Sequence, residues 1–185
     1  MRLFIAIELP TEIKRELGKL RTSIPGVRWA PPEQIHLTLA FLGDVDEETT
    51  GRLTAQLAGI RENTFKLYCG NIGCFPDRHR PRVIWIGVKP EPGLRRLAAA
   101  VQQSALYAGI LMEERPFSPH LTLARLKLPA TAELSAFLDR MSGKNLEPFS
   151  VREFTLFQSR LTSQGAEHIP VRRYPLTDTG SEVLC

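Results

Sequence analysis

Three cysteines in 185 residues are too few, and too unevenly placed, to staple a fold. Cys69 and Cys74 stand five apart in an apolar stretch, and Cys185 is the last residue. Neither disulfide pairing nor zinc-type spacing follows, so the first two read as buried free thiols and Cys185 as a fraying end. The chain also lacks an apolar run long enough to span a bilayer, and it has no low-complexity tract. Its opening, Met1 to Ile7, is apolar but too short for a signal peptide, and Glu8 and Pro10 follow where small cleavage-site residues would stand. The expectation is a soluble cytoplasmic protein. Extreme charge is absent as well: the net charge is +4 and the pI about 9.2, a mild bias toward polyanionic partners. Basic clusters at Arg78-His79-Arg80-Pro81-Arg82, Arg95-Arg96, Arg125-Leu126-Lys127 and Arg172-Arg173 read mainly as solvated surface.

What the chain has is repetition. His36-Leu37-Thr38-Leu39 returns as His120-Leu121-Thr122-Leu123. A strand runs from Leu3 to Glu8, followed by a helix with Ile13, Leu17 and Leu20 on one stripe. Prolines 25, 31 and 32 then break the chain before the strand of His36, which ends at Gly43. Asp44 or Asp46 can cap the next helix, running to about Gly59, and a strand covers Phe65 to about Ile72. The same order recurs in a strand at Val83–Val88, a helix from Pro92 and a strand at His120. A helix on Leu134, Phe137, Leu138 and Met141 follows, and then strands at Phe149–Phe157 and His168–Tyr174. His36 and His120 lie 84 positions apart, as do Phe65 and Phe149, which open the later strands. This spacing predicts an α+β fold: two pseudo-two-fold-related lobes of mainly antiparallel sheet, with helices outside and a cleft between. The domain spans 1–185, with repeats of about 2–75 and 82–159 and a closing strand at 168–176.

In a strand, residues i and i+2 share a face, so each motif presents an imidazole beside a threonine hydroxyl. A two-fold axis would set His36 and His120 on opposite sides of one cleft. In-line displacement at phosphorus needs one group to take a proton from the nucleophile and another to give one to the leaving oxygen. Histidine suits both tasks near neutral pH. Thr38 and Thr122 can donate to the non-bridging oxygens, and Arg125 adds a fixed cation. Arg125 sits at an odd offset from His120, so it needs a bulge or a strand end to reach that face. A single His-x-Thr would read as a structural pair. Duplicated packing would preserve the leucines but gives no reason to keep both polar residues.

These motifs resemble the two-histidine phosphoesterase superfamily, and within it the bacterial and archaeal RNA 2′,3′-cyclic phosphodiesterases, once called 2′-5′ RNA ligases. The likeness covers nearly the whole chain. It includes Arg2–Ile7, the segment from Arg28-Trp29 through His36–Gly43, Phe75-Pro76 with Arg82–Trp85, Pro119–Arg125, and Leu156–Leu161. The resemblance implies a bilobal fold, no metal or other cofactor, and hydrolysis of a terminal cyclic phosphate to a 2′-phosphomonoester. Ligation to a 5′-hydroxyl would be the same chemistry in reverse. It assigns His36 as proton donor to the leaving 3′ oxygen and His120 as the base that activates water. Arg125 matches an arginine that often follows the second motif. The implied partner is RNA with cyclic phosphate ends, such as tRNA fragments, with no membrane partner.

Other residues receive lesser roles. His79 reads as solvent-exposed and His168, with no threonine two residues on, as structural. Phe41, Trp29 and Phe157 are candidates for stacking on a terminal base. A closed two-lobed unit needs no second copy, so a monomer is expected. Two rival readings stand beside the enzyme. One is a non-catalytic RNA-end-binding module. The other is a metal-dependent phosphodiesterase, which the lack of acidic residues inside the motifs argues against.

Overall fold

Alternation along the first strand separates two environments. In β1 (Arg2–Glu8), Leu3, Ile5 and Ile7 enter the main core, whereas Phe4 and Ala6 form a separate buried cluster with Phe157. The structure, a computed structural model, describes residues 1–112, 116–127, 129, 131–163 and 165–178; Cys185 lies outside them. After β1 come α1 (Thr11–Gly18), β2 (Val27–Trp29), a 3-10 turn at Pro32–Gln34, β3 (His36–Asp44), α2 (Glu47–Ala58), β4 (Phe65–Leu67) and β5 (Cys69–Phe75). The second half contains β6 (Val83–Val88), α3 (Pro92–Tyr107), β7 (His120–Leu126), α4 (Ala132–Arg140), β8 (Phe149–Val151), β9 (Glu153–Thr162) and β10 (Gly165–Pro175). Among the described residues no helix is long and apolar enough to cross a membrane.

The helix ends follow from local chemistry. Of the two aspartates offered by the sequence, Asp46 caps α2, its carboxylate accepting the Thr49 N–H at 2.8 Å. Glu91 and Thr131 cap α3 and α4 in the same manner. Each helix buries an apolar stripe: Ile13 and Leu17 from α1, Leu53 and Leu57 from α2, Leu94, Leu97 and Val101 from α3, and Leu134, Phe137 and Leu138 from α4. These join Leu37, Leu39, Leu121 and Leu123 in one core. Leu20 lies beyond the end of α1 but remains buried.

One eight-stranded sheet runs through the molecule in the order β10-β9-β1-β3-β7-β6-β5, with β2 also paired to β7. All of these strand pairings are antiparallel. Two lobes form the two halves of this sheet and meet where β3 pairs with β7 at Leu37 and Leu121, but each takes a strand from the other repeat: β9 pairs with β1, and β5 with β6. A second, two-stranded sheet joins β4 to β8, with Lys66 opposite Ser150. Both pairs join residues 84 positions apart, so one pseudo-two-fold axis passes through both contacts.

That small sheet also explains where strand boundaries depart from expectation. The stretches Phe65–Ile72 and Phe149–Phe157 were each expected as one strand. Instead each divides, at Tyr68 and Arg152, because its first three residues pair across the axis and the rest enters the large sheet. Apolar alternation continues through both stretches, so it carries no mark of the change in partner. β2 was not expected at all: it is three residues between proline-rich breaks, ordered by β7.

Leu37 is fully buried at the inter-lobe pair. Leu37→Ala is expected to cost about 2–5 kcal/mol in chemical denaturation, the range for truncating a well-packed core leucine. A loss below about 1 kcal/mol would mean that the lobes do not depend on this contact.

Candidate active site

The pairing of Leu37 with Leu121 sets the geometry around it. Carried one residue each way in antiparallel register, it places His36 across from Thr122 and Thr38 across from His120. Each histidine is oriented by the same backbone device. The Nδ1–H of His36 donates to the Gln34 carbonyl at 2.7 Å, and that of His120 donates to the Ser118 carbonyl at 2.8 Å. A carbonyl only accepts, so Nδ1 carries the proton in both rings and Nε2 of each neutral imidazole keeps its lone pair.

A cavity of about 430 Å³ opens on the concave face, lined by His36, Thr38, Thr122 and Arg125 among others. His120 stands beside this lining, its ring edge-on to Phe75 at 5.1 Å. Arg125 reaches the cavity through a bulge. Ile84 pairs with Ala124 but Trp85 pairs with Thr122, so Leu123 is an extra residue in β7. Leu123 and Ala124 both turn inward, and the parity of Arg125 is reset to the face of Thr122. β3 carries the same bulge: Ile5 pairs with Ala40 and Ala6 with Thr38, skipping Leu39. Phe41, 84 positions before Arg125, is thereby turned into the same cavity and is 72% exposed.

The surroundings of the two histidines differ. His36 lies on an aromatic floor, stacked on Phe4 at 4.9 Å, with Phe157 stacked on Phe4 at 5.1 Å and on His36 itself at 6.4 Å. Burial pushes its proton affinity down, with smaller contributions from His168 and Lys14, against the Gln34 carbonyl and Glu8, to a pKa of about 4. Its neutral form therefore dominates the free protein at neutral pH. A bound anion favours the imidazolium and draws a proton in with it.

Several expectations are revised. His79 is exposed, as expected, in the loop after β5, where Asp77 accepts its backbone N–H. His168, expected to be structural, lines the cavity and meets His36 edge-on at 5.1 Å. Its position comes from β10 pairing beside β9, which pairs with β1, and no local spacing reveals that. Trp29 is withdrawn as a stacking candidate because its Nε1 donates to the Thr22 carbonyl at 2.7 Å and its ring packs on Phe137. Phe157 is buried in the floor, leaving Phe41 as the open aromatic surface. Cys69 and Cys74 are buried free thiols. Among the described residues no three His, Cys, Asp or Glu side chains gather in a way that could hold a metal ion.

The shift at His36 has a measurable sign. Sulfate, which does not titrate near neutrality, is expected to bind more tightly as pH falls from about 7 toward about 4, because the complex holds a proton that the free site lacks. Below that range the free protein is already protonated and this gain ends. Calorimetry across the interval checks it; His36→Asn should lose this part of the pH dependence, and an unchanged slope would show that His36 takes no part in anion binding.

Comparison with known proteins places this geometry. The family described as LigT like phosphoesterase matches the chain twice, over residues 7–85 and again over 86–167. The RNA 2′,3′-cyclic phosphodiesterase of Archaeoglobus fulgidus is 35% identical over 168 residues, covering 89% of this chain and 94% of that one. Its counterpart of the same name in Escherichia coli is 33% identical over 186 residues, covering 95% and 97%. The crystal structure of E. coli LigT complexed with 3′-AMP superposes with a TM-score of 0.81 at 32% identity, covering 95% of this chain and 98% of that one. The structure of TT0787 from Thermus thermophilus gives 0.80 at 28% identity, covering 97% and 100%. With both halves matched and relatives above 30% identity along most of their length, the chain belongs to the LigT like phosphoesterase family.

Proposed function

We propose that this protein hydrolyses the 2′,3′-cyclic phosphate at an RNA end to a 2′-phosphomonoester, using two histidines as acid and base. The observation that carries this is the inter-lobe strand pair, whose register puts a His-x-Thr from each lobe beside one cavity. The activity named for the A. fulgidus and E. coli relatives supports the same reading. His120 Nε2 takes a proton from water as its oxygen attacks phosphorus. The bond from phosphorus to O3′ breaks in line, and His36 Nε2–H gives its proton to that leaving oxygen. Thr38, Thr122 and Arg125 hold the non-bridging oxygens as charge grows on them. His36 acquires its proton with the substrate, since the phosphodiester anion offsets the burial that keeps the free ring neutral. Phe41 offers a stacking face for the terminal base. The protein acts as a single bilobal domain over 1–185, a cytoplasmic monomer on RNA ends such as those of tRNA fragments. Its repeats of about 2–75 and 82–159 draw support from the doubled family match.

A second reading exchanges the two roles, and the low proton affinity of His36 in the free protein favours it. One experiment addresses both readings and the non-catalytic rival. His36→Ala and His120→Ala should each lower kcat/KM on adenosine 2′,3′-cyclic phosphate by about 10²–10⁴-fold, in excess chelator as without it. Near-normal turnover in either variant would remove the two-histidine mechanism. A substrate with sulfur at the 3′ bridging position leaves without a proton, so it should rescue His36→Ala and not His120→Ala. Rescue of His120→Ala instead would exchange the roles.

A further inference from the structure

His168 stands in the cavity wall without a part in the reaction above. A histidine retained for packing alone satisfies its buried nitrogen. In His168 the Nδ1 is buried and has no hydrogen-bond partner among the described residues. Its ring meets His36 at 5.1 Å with the planes 77° apart, and both rings lie against Phe4, each at 4.9 Å. We propose, building on the acid–base reading of His36, that His168 is a third active-site imidazole that positions the His36 ring and competes with it for a proton.

Two imidazolium ions at this separation repel, and the Phe4 and Phe157 floor excludes water that would screen them. The nearby carboxylate, Glu8 on β1, is paired with Arg173 of β10 at 3.2 Å. Other charged groups near the rings are Lys14 on α1, which lowers the proton affinity of His36, Arg2 and Arg125 in the cavity wall, and Glu167 beside His168 on β10, which pairs with Arg160 on β9. The two rings therefore take up at most one proton readily between them and resist a second. Burial acts on each ring in the same direction, holding both below the ordinary histidine range. The donor form of His36 then exists only while His168 is neutral. Protonation of His168 on acidification therefore removes the donor form of His36. Held on one side by Phe4 and on another by His168, the His36 ring also has little freedom to swing its Nε2 away from the leaving oxygen.

The test is an NMR titration of the imidazole Cε1–H signals in the full chain, whose four histidines can be assigned by single replacement. His168→Phe and His168→Asn should both raise the His36 midpoint by about half a pH unit or more while those of His79 and His120 stay in place. A His36 midpoint unmoved in both variants overturns the competition. Turnover of adenosine 2′,3′-cyclic phosphate reads the positioning: His168→Asn should lower kcat about tenfold with KM within about twofold, and His168→Phe, which restores a ring, should recover most of that loss. Unchanged kcat in His168→Asn, or equal losses in both variants, overturns positioning. The titration needs no turnover. If the wild-type protein left the cyclic phosphate intact, the proposed reaction would fail and the His36–His168 pair would still be decided.

Discussion

A single backbone pairing, Leu37 against Leu121, governs the rest of this molecule. Among the described residues it is the only registered contact between β3 and β7; beyond it the same edge of β7 pairs with β2, while β1 and β6 hold the other edges of the two strands. The residues flanking the contact follow from it, because antiparallel register sets each histidine against the other lobe's threonine. Neither lobe alone holds both His-x-Thr motifs. The leucines that lock the contact are fully buried, so the cost of displacing the histidines is the cost of opening the core.

Symmetry in the backbone coexists with asymmetry in the side chains. Carbonyls at Gln34 and Ser118 orient the two imidazoles alike. Around them the lobes diverge: His36 rests on Phe4, with Phe157 and His168 close by, whereas His120 meets the edge of Phe75. Burial holds the His36 ring below the ordinary histidine range, so the two copies of one side chain sit in unlike surroundings within one site. That is the physical requirement for acid–base work by two copies of one side chain.

Much of this was legible in the sequence because it is written in local pattern. The buried strand faces, the four helices and the antiparallel α+β architecture follow from periodicities of two and of 3.6. The 84-residue offset pointed to the axis before any contact was known. The division of strands at Tyr68 and Arg152, the pairing of β2 with β7 and the entry of His168 into the cavity were not legible, since each depends on which strand lies next to which. Arg125 is an intermediate case. Strand parity aimed it at the wrong face, and the bulge at Leu123 that corrects this leaves a trace only in hindsight, as two consecutive small or apolar residues facing inward.

The matched bulges at Leu39 and Leu123 have a consequence for how such a site can specialise. They bring equivalent positions, Phe41 and Arg125, to the same cavity. In a homodimer of half-chains, an isologous contact would force each position to appear twice, as two phenylalanines or two arginines. Joining the halves in one polypeptide lifts that constraint. One seat offers an aromatic face and the other a cation, so a palindromic scaffold distinguishes the two ends of whatever lies across it.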